Sequence, residues 1–79
     1  MSKVLHGIES VVREHLGHTG PVRAEMPLVE TFRLDSVRML TLVVELENYF
    51  RVSLEPGDEA GLESVGDLIA LLERRVANG

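Results

Sequence analysis

Apolar residues recur at helical spacing along most of the chain, and the pattern predicts an all-α fold. From Val4 to Leu16 the spacing i, i+1, i+4, i+7, i+8, i+12 forms one apolar stripe on a helix of about four turns. Ser2 can cap the start of this helix and Gly17 can end it. The predicted elements cover about these ranges: helix I, 3–16; a connection, 17–34; helix II, 36–50; a short helix III, 58–62; helix IV, 65–76.

The connection over 17–34 has no convincing periodicity and is interrupted by glycines and prolines. Loops longer than about 12–15 residues in compact domains are usually functional or held down by their own side chains. We expect its apolar residues to press it onto the helices, and these anchors are Leu28, Val29, Phe32 and Leu34.

Helix II carries two apolar stripes on different faces of the cylinder. The inner stripe, the better candidate for the core, consists of Met39, Leu42, Val43, Leu46 and Phe50. The outer stripe consists of Val37, Leu40 and Val44. In a small bundle both faces cannot be core, so the outer stripe is expected to be an exposed patch that binds a partner. Its rim contains Thr41, Glu47 and Asn48. The alternative is that the outer stripe packs under the connection.

Helix IV has a recognisable start and a regular apolar stripe. Ser64 and Asp67 resemble a capping box, with aspartate in place of the usual Glu or Gln. The stripe that follows is Val65, Leu68, Ile69, Leu72 and Val76. We expect one domain over 1–79, a small four-helix bundle of three main helices and the short helix III. Its predicted core is Leu5, Ile8, Val12, Leu42, Leu46, Phe50, Leu54, Leu62, Val65, Ile69 and Leu72.

The start of helix II is the candidate site for chemistry. Asp35 is a good N-cap residue, and Ser36 is then the first helical residue. A phosphate on the Ser36 hydroxyl would lie at the positive end of the helix dipole and would be stabilised there. Considered alone, the Asp-Ser pair is more often an ordinary helix start.

The surrounding sequence resembles the acyl carrier proteins, most specifically over residues 34–50. In that family an Asp-Ser-Leu motif opens the second helix, which ends in an aromatic residue. The later pattern is matched here by Phe50, Leu54, Pro56, Leu62, Val65, Ile69 and Leu72. The resemblance covers about residues 3–76 and implies that Ser36 carries 4′-phosphopantetheine, derived from coenzyme A, whose thiol holds acyl groups as thioesters. Asp35 would cap the helix and be read by the modifying enzyme.

The resemblance implies a non-catalytic carrier with several enzyme partners. These would be a phosphopantetheinyl transferase, using Mg²⁺, and the acyl-loading, condensing and modifying enzymes of its pathway. The partner-binding surface would comprise Val37, Arg38, Leu40, Thr41, Val44, Glu47 and Asn48.

The chain also departs from the family pattern. Arg33 stands where glycine is common, Val37 replaces the usual leucine, and Arg38, Thr41 and Asn48 replace frequently acidic residues. These changes favour a polyketide or secondary-metabolite pathway over housekeeping fatty-acid synthesis. Two alternatives remain: an aminoacyl or peptidyl carrier, and a helical protein-interaction module without a prosthetic group.

Charge and composition narrow the function classes further. The net charge is −5, and residues 45–67 contain seven acids and one base, which disfavours nucleic-acid binding. The chain has no cysteine and no apolar run long enough for a membrane span, so we expect it in the cytoplasm. We also expect a monomer. His15 and His18 could ligate a metal, but two histidines without a carboxylate or thiolate at matching spacing are a weak signal, and no metal site is expected.

Overall fold

The computed structural model describes residues 3–55 and 57–78, so Ser2 and Pro56 lie outside the described residues. Its elements in chain order are α1 (Lys3–His15), α2 (Leu28–Phe32), α3 (Ser36–Phe50), a 3₁₀ turn (Asp58–Gly61) and α4 (Val65–Asn78). The prediction of a small all-α bundle is confirmed. No helix in the described part of the chain has the length and apolar character needed to cross a membrane.

The core lies between α1, α3 and α4 and is built almost wholly from aliphatic side chains. Of the predicted core, these residues are buried: Ile8, Val12, Leu42, Leu46, Val65 and Leu72. The others are half-buried and pack against them: Leu5, Phe50, Leu54, Leu62 and Ile69. The core also takes residues that the prediction did not include: Val4, Val11, Leu16, Val22, Leu28, Phe32 and Leu68. Val76, assigned to the stripe of helix IV, is 45% exposed and lies outside it.

The connection over 17–34 is not entirely irregular, because it contains α2. This helix has five residues, which is too short for apolar periodicity to reveal it in the sequence. Leu28 and Phe32 are buried as anchors and Leu34 is half-buried. Val29 was wrongly expected to be an anchor: it is 46% exposed, since a single turn of helix can bury only one side.

Backbone hydrogen bonds join the connection to the start of α4. The Leu28 N–H donates to the Glu63 carbonyl at 2.9 Å, and the Val65 N–H donates to the Met26 carbonyl at 2.9 Å. The Gly66 N–H donates to the carbonyl of Ala24 at 2.8 Å. These bonds fix the middle of the connection across the bundle.

The predicted capping box of α4 is present. The Ser64 N–H donates to Asp67 Oδ2 at 3.1 Å, and the Asp67 N–H donates to Ser64 Oγ at 3.2 Å. The Glu63 N–H also donates to Asp67 Oδ2, at 2.9 Å. The short helix III expected over 58–62 is a single 3₁₀ turn, tied to α4 by a 2.8 Å ion pair between Asp58 and Arg75.

Candidate functional site at the start of α3

Asp35 caps α3 and leaves Ser36 as the first helical residue. Asp35 Oδ1 accepts a hydrogen bond from the Arg38 N–H at 2.8 Å, and the Asp35 carbonyl accepts from the Met39 N–H at 2.8 Å. Ser36 is exposed. Its hydroxyl therefore lies on the surface at the positive end of a helix of 15 residues.

The corner that precedes Ser36 has a left-handed backbone. Arg33 ends α2 with φ 55° and ψ 51°, and the Leu34 N–H donates to the Val29 carbonyl at 2.9 Å. Glycine adopts this conformation without the steric penalty of a side chain. Arg33 therefore adopts a conformation at this corner that glycine would adopt at a lower steric cost.

The Arg38 guanidinium lies against the ends of α1 and α2. Nη2 donates to the carbonyls of Leu16 and Phe32, each at 2.9 Å, and Nε donates to those of Phe32, at 3.3 Å, and Arg33, at 3.1 Å. We call this set of contacts the arginine clamp. Arg38 was also expected on the partner-binding surface, which stays a prediction, and its guanidinium is turned toward the fold. No local pattern indicates the clamp, since Leu16 is 22 residues away along the chain.

The outer stripe is on the surface. Val37 is 71%, Leu40 64% and Val44 40% exposed, so the alternative in which these side chains pack under the connection does not hold. Of the predicted rim, Asn48 is exposed and Thr41 is half-buried.

The Glu47 carboxylate makes a hydrogen bond within the fold. Its Oε2 accepts a hydrogen bond from the Leu54 N–H at 2.7 Å and so holds the segment that follows α3. The side chain is half-buried. Its expected place on the partner-binding surface stays a prediction, and the carboxylate satisfies a backbone donor seven residues away.

An open groove of about 440 Å³ begins at Ser36. It is lined by Ser36, Met39, Leu40 and Val43, which lie at the i, i+3, i+4, i+7 positions of one face of α3. Apart from the serine hydroxyl these side chains are apolar.

The two candidate histidine ligands have separate partners. His15 Nε2 lies 3.3 Å from Glu45 Oε1, which joins α1 to α3. His18 contacts the Phe32 ring edge to face, with centroids 5.0 Å apart. Within residues 3–55 and 57–78, no group of three or more His, Cys, Asp or Glu side chains is arranged to hold a metal ion.

Comparison with known proteins gives the site a family context. A family described as "Phosphopantetheine attachment site" matches residues 6–72. An acyl carrier protein of Kineococcus radiotolerans is 32% identical over 73 residues, which cover 91% of this chain and 90% of that protein. An acyl carrier protein of an Exiguobacterium species is 28% identical over 75 residues, 94% of this chain and 95% of that protein. A meromycolate extension acyl carrier protein of Mycobacterium tuberculosis is 27% identical over 73 residues, 91% of this chain and 64% of that protein.

Proposed function

The chain belongs to the acyl carrier protein family, whose cofactor is covalently attached phosphopantetheine, and we propose that it carries acyl groups on an arm attached to Ser36. When bound, the arm supplies a terminal thiol to which acyl groups are joined as thioesters. The chain acts as a non-catalytic monomeric carrier, a single domain over 1–79, in the cytoplasm. Partner enzymes act on the cargo in turn.

The observation that supports this proposal most directly is the exposed hydroxyl of Ser36 at the capped start of α3. In the attachment reaction, Ser36 Oγ forms a bond to the phosphorus of the phosphopantetheine half of coenzyme A. The pyrophosphate bond breaks, adenosine 3′,5′-bisphosphate leaves, and the serine proton passes to a base of the transferase or to water. A phosphodiester on Ser36 would be held at the positive end of α3, where a negative charge is stabilised. The residues present therefore fit the group.

The groove beside Ser36 favours an acyl cargo over an aminoacyl cargo. Met39, Leu40 and Val43 offer an apolar surface to a hydrocarbon chain, whereas a charged amino group would lose hydration there. We place the cargo in fatty-acid, polyketide or secondary-metabolite synthesis. The relatives include carriers named for meromycolate extension.

The outer stripe is the proposed docking surface for the transferase and for the acyl-loading, condensing and modifying enzymes. Val37, Leu40 and Val44 supply apolar contact, with Thr41 and Asn48 beside them. The acidic residues over 45–67 steer basic protein surfaces toward the carrier and repel nucleic acid.

The test is the intact mass of the chain after incubation with coenzyme A, Mg²⁺ and a promiscuous phosphopantetheinyl transferase. We expect a gain of one phosphopantetheine on the unmodified chain and none on Ser36→Ala. Ser53→Ala, which changes an exposed serine after α3, is the matched control and should be loaded at the unmodified rate. Absence of loading with several transferases would instead support an interaction module without a prosthetic group. Loading of Ser36→Ala would assign the arm to another residue.

A further inference from the structure

Arg38, which follows Ser36, is joined by hydrogen bonds to residues that precede Ser36, so these bonds close the backbone segment that contains the serine. Its backbone N–H donates to the cap Asp35, and its guanidinium donates to the carbonyls of Phe32 and Arg33, which precede the cap. Ser36 lies inside the closed segment 32–38. This segment is attached to the rest of the bundle through the bond from Nη2 to the Leu16 carbonyl at 2.9 Å.

The carbonyls in the arginine clamp need a hydrogen-bond donor from outside their own helices. The last carbonyls of a helix have no partner within it, and Leu16 follows α1 while Phe32 is the last residue of α2. A guanidinium is planar and presents its N–H groups in a fixed fork, so it can serve several of these carbonyls at once. Its positive charge also complements the negative end of the α1 dipole. A lysine ammonium is a compact charge on a flexible stem and cannot reproduce this geometry.

We propose that Arg38 is a positioning residue for Ser36: the arginine clamp holds the corner between α2 and α3 against α1, so that the serine hydroxyl is presented to the transferase in one place. This inference rests on the proposed attachment of the arm to Ser36. Each clamp bond removes conformational freedom from the segment 32–38 before the transferase binds. Small displacements of a reacting group lower the rate of group transfer by up to about 100-fold.

The rival explanation is that the transferase reads the positive charge of Arg38 directly. Substitution by lysine separates the two explanations, because lysine keeps the charge and loses the fork. If the clamp acts, Arg38→Lys and Arg38→Met should both lower kcat/KM for phosphopantetheine transfer by about tenfold. If the charge is read directly, Arg38→Lys should match the unmodified chain and Arg38→Met should raise KM.

The measurement is the initial rate of mass gain over a range of carrier concentrations. The unmodified chain and Arg74→Met, which removes an exposed arginine of α4, are run alongside. Urea unfolding of each variant gives the folded fraction, and rates are expressed per folded molecule. Equal rates for all four chains would overturn the clamp proposal while leaving the attachment to Ser36 in place. No loading of the unmodified chain would overturn the proposed function itself.

Chemical rescue gives a readout that general destabilisation would not produce. An open cleft of about 500 Å³ is lined by Arg38 and by Leu16, Phe32 and Arg33, whose carbonyls the guanidinium serves. In Arg38→Ala, added ethylguanidinium can enter this cleft and reach the same carbonyls. We expect it to restore transfer at least partly, whereas ethylammonium at the same concentration should not. Equal effects of the two ions would contradict the geometric role of the fork.

Amide hydrogen exchange tests the clamp without any transferase. In Arg38→Lys and Arg38→Met the amides of Arg33 and Leu34, which donate to the Val29 carbonyl, should exchange faster than in the unmodified chain, while those in the middle of α4 should keep their rates. Unchanged exchange at these two amides would show that the clamp does not order this corner, whatever the loading assay finds.

Discussion

Substitution of Gly7 by alanine sets helix propensity against packing at the contact between α1 and the end of α3. A Cβ atom at Gly7 would lie 2.7 Å from Tyr49 Cε1 and 2.9 Å from Phe50 Cε1, and it would also overlap Phe50 Cζ. Non-bonded carbon atoms pack best at about 3.5–4.0 Å, so both rings would have to retreat by roughly 1 Å.

The two effects have opposite signs and different sizes. Alanine stabilises the interior of a helix by about 1 kcal/mol relative to glycine. Overpacking a filled site costs about 1–3 kcal/mol. Phe50 packs on the core and its ring contacts that of Tyr49 with centroids 4.9 Å apart, so retreat of the Phe50 ring would disturb both the core and this ring contact. We therefore take the upper part of the range and expect Gly7→Ala to lower the free energy of unfolding by about 1–2 kcal/mol.

Urea unfolding followed by far-UV circular dichroism measures this difference. In a Phe50→Leu background part of the overlap is gone, so the same glycine substitution should be near neutral or stabilising by up to about 1 kcal/mol. Gly66→Ala is a milder comparison, because a Cβ there lies 3.2 Å from the Ala24 carbonyl oxygen at its closest. A Gly7→Ala variant more stable than the unmodified chain, or equal losses in both backgrounds, would refute the packing argument.

Substitutions at three further residues test other parts of the fold. Leu46 is fully buried, and Leu46→Ala should lower the free energy of unfolding by about 2–5 kcal/mol in the same urea assay. Arg33 has a left-handed backbone, so Arg33→Gly should stabilise the domain by about 0.5–1 kcal/mol while Arg33→Ala does not. Equal effects of the two substitutions would show that the side chain at this position causes no backbone strain. Hydrogen bonds from the N–H groups of Glu63 and then Ser64 lower the pKa of Asp67 below its ordinary 3.8. Its ionised form therefore stabilises the fold above that pH, and the contribution is lost as the pH falls through the lower folded-state value. Asp67→Asn should flatten this part of the acid unfolding curve, and an unchanged curve would count against the capping role.

The candidate site was only partly predictable. Asp35 and Ser36 were found because an N-cap and the first helical residue follow from residue type and from the apolar periodicity that comes next. The exposure of Val37 and Leu40 was predictable because the helix has two apolar faces and only one of them can pack in the core of a small bundle. The same reasoning placed Arg38 on the surface, since it lies beside those residues on the helix, and nothing local shows that its long side chain reaches Leu16.

The sequence by itself determined the features that depend on neighbours within one or two turns. The start of α3, the capping box of Ser64 and Asp67, the left-handed end of α1 at Gly17 and the class of fold all belong here. Each is set by residue type and by hydrogen bonds or spacing over a few positions, so it can be predicted from the sequence without the tertiary structure.

The tertiary structure alone decided the contacts between distant segments. α2 forms within the connection because Leu28 and Phe32 are buried in the core. The Arg38 side chain contacts the ends of two other helices. The Glu47 carboxylate likewise has a backbone donor beyond the end of α3. The physical reason is that an unpaired backbone group at a helix end or in a loop is satisfied by whichever side chain the packed helices bring within reach.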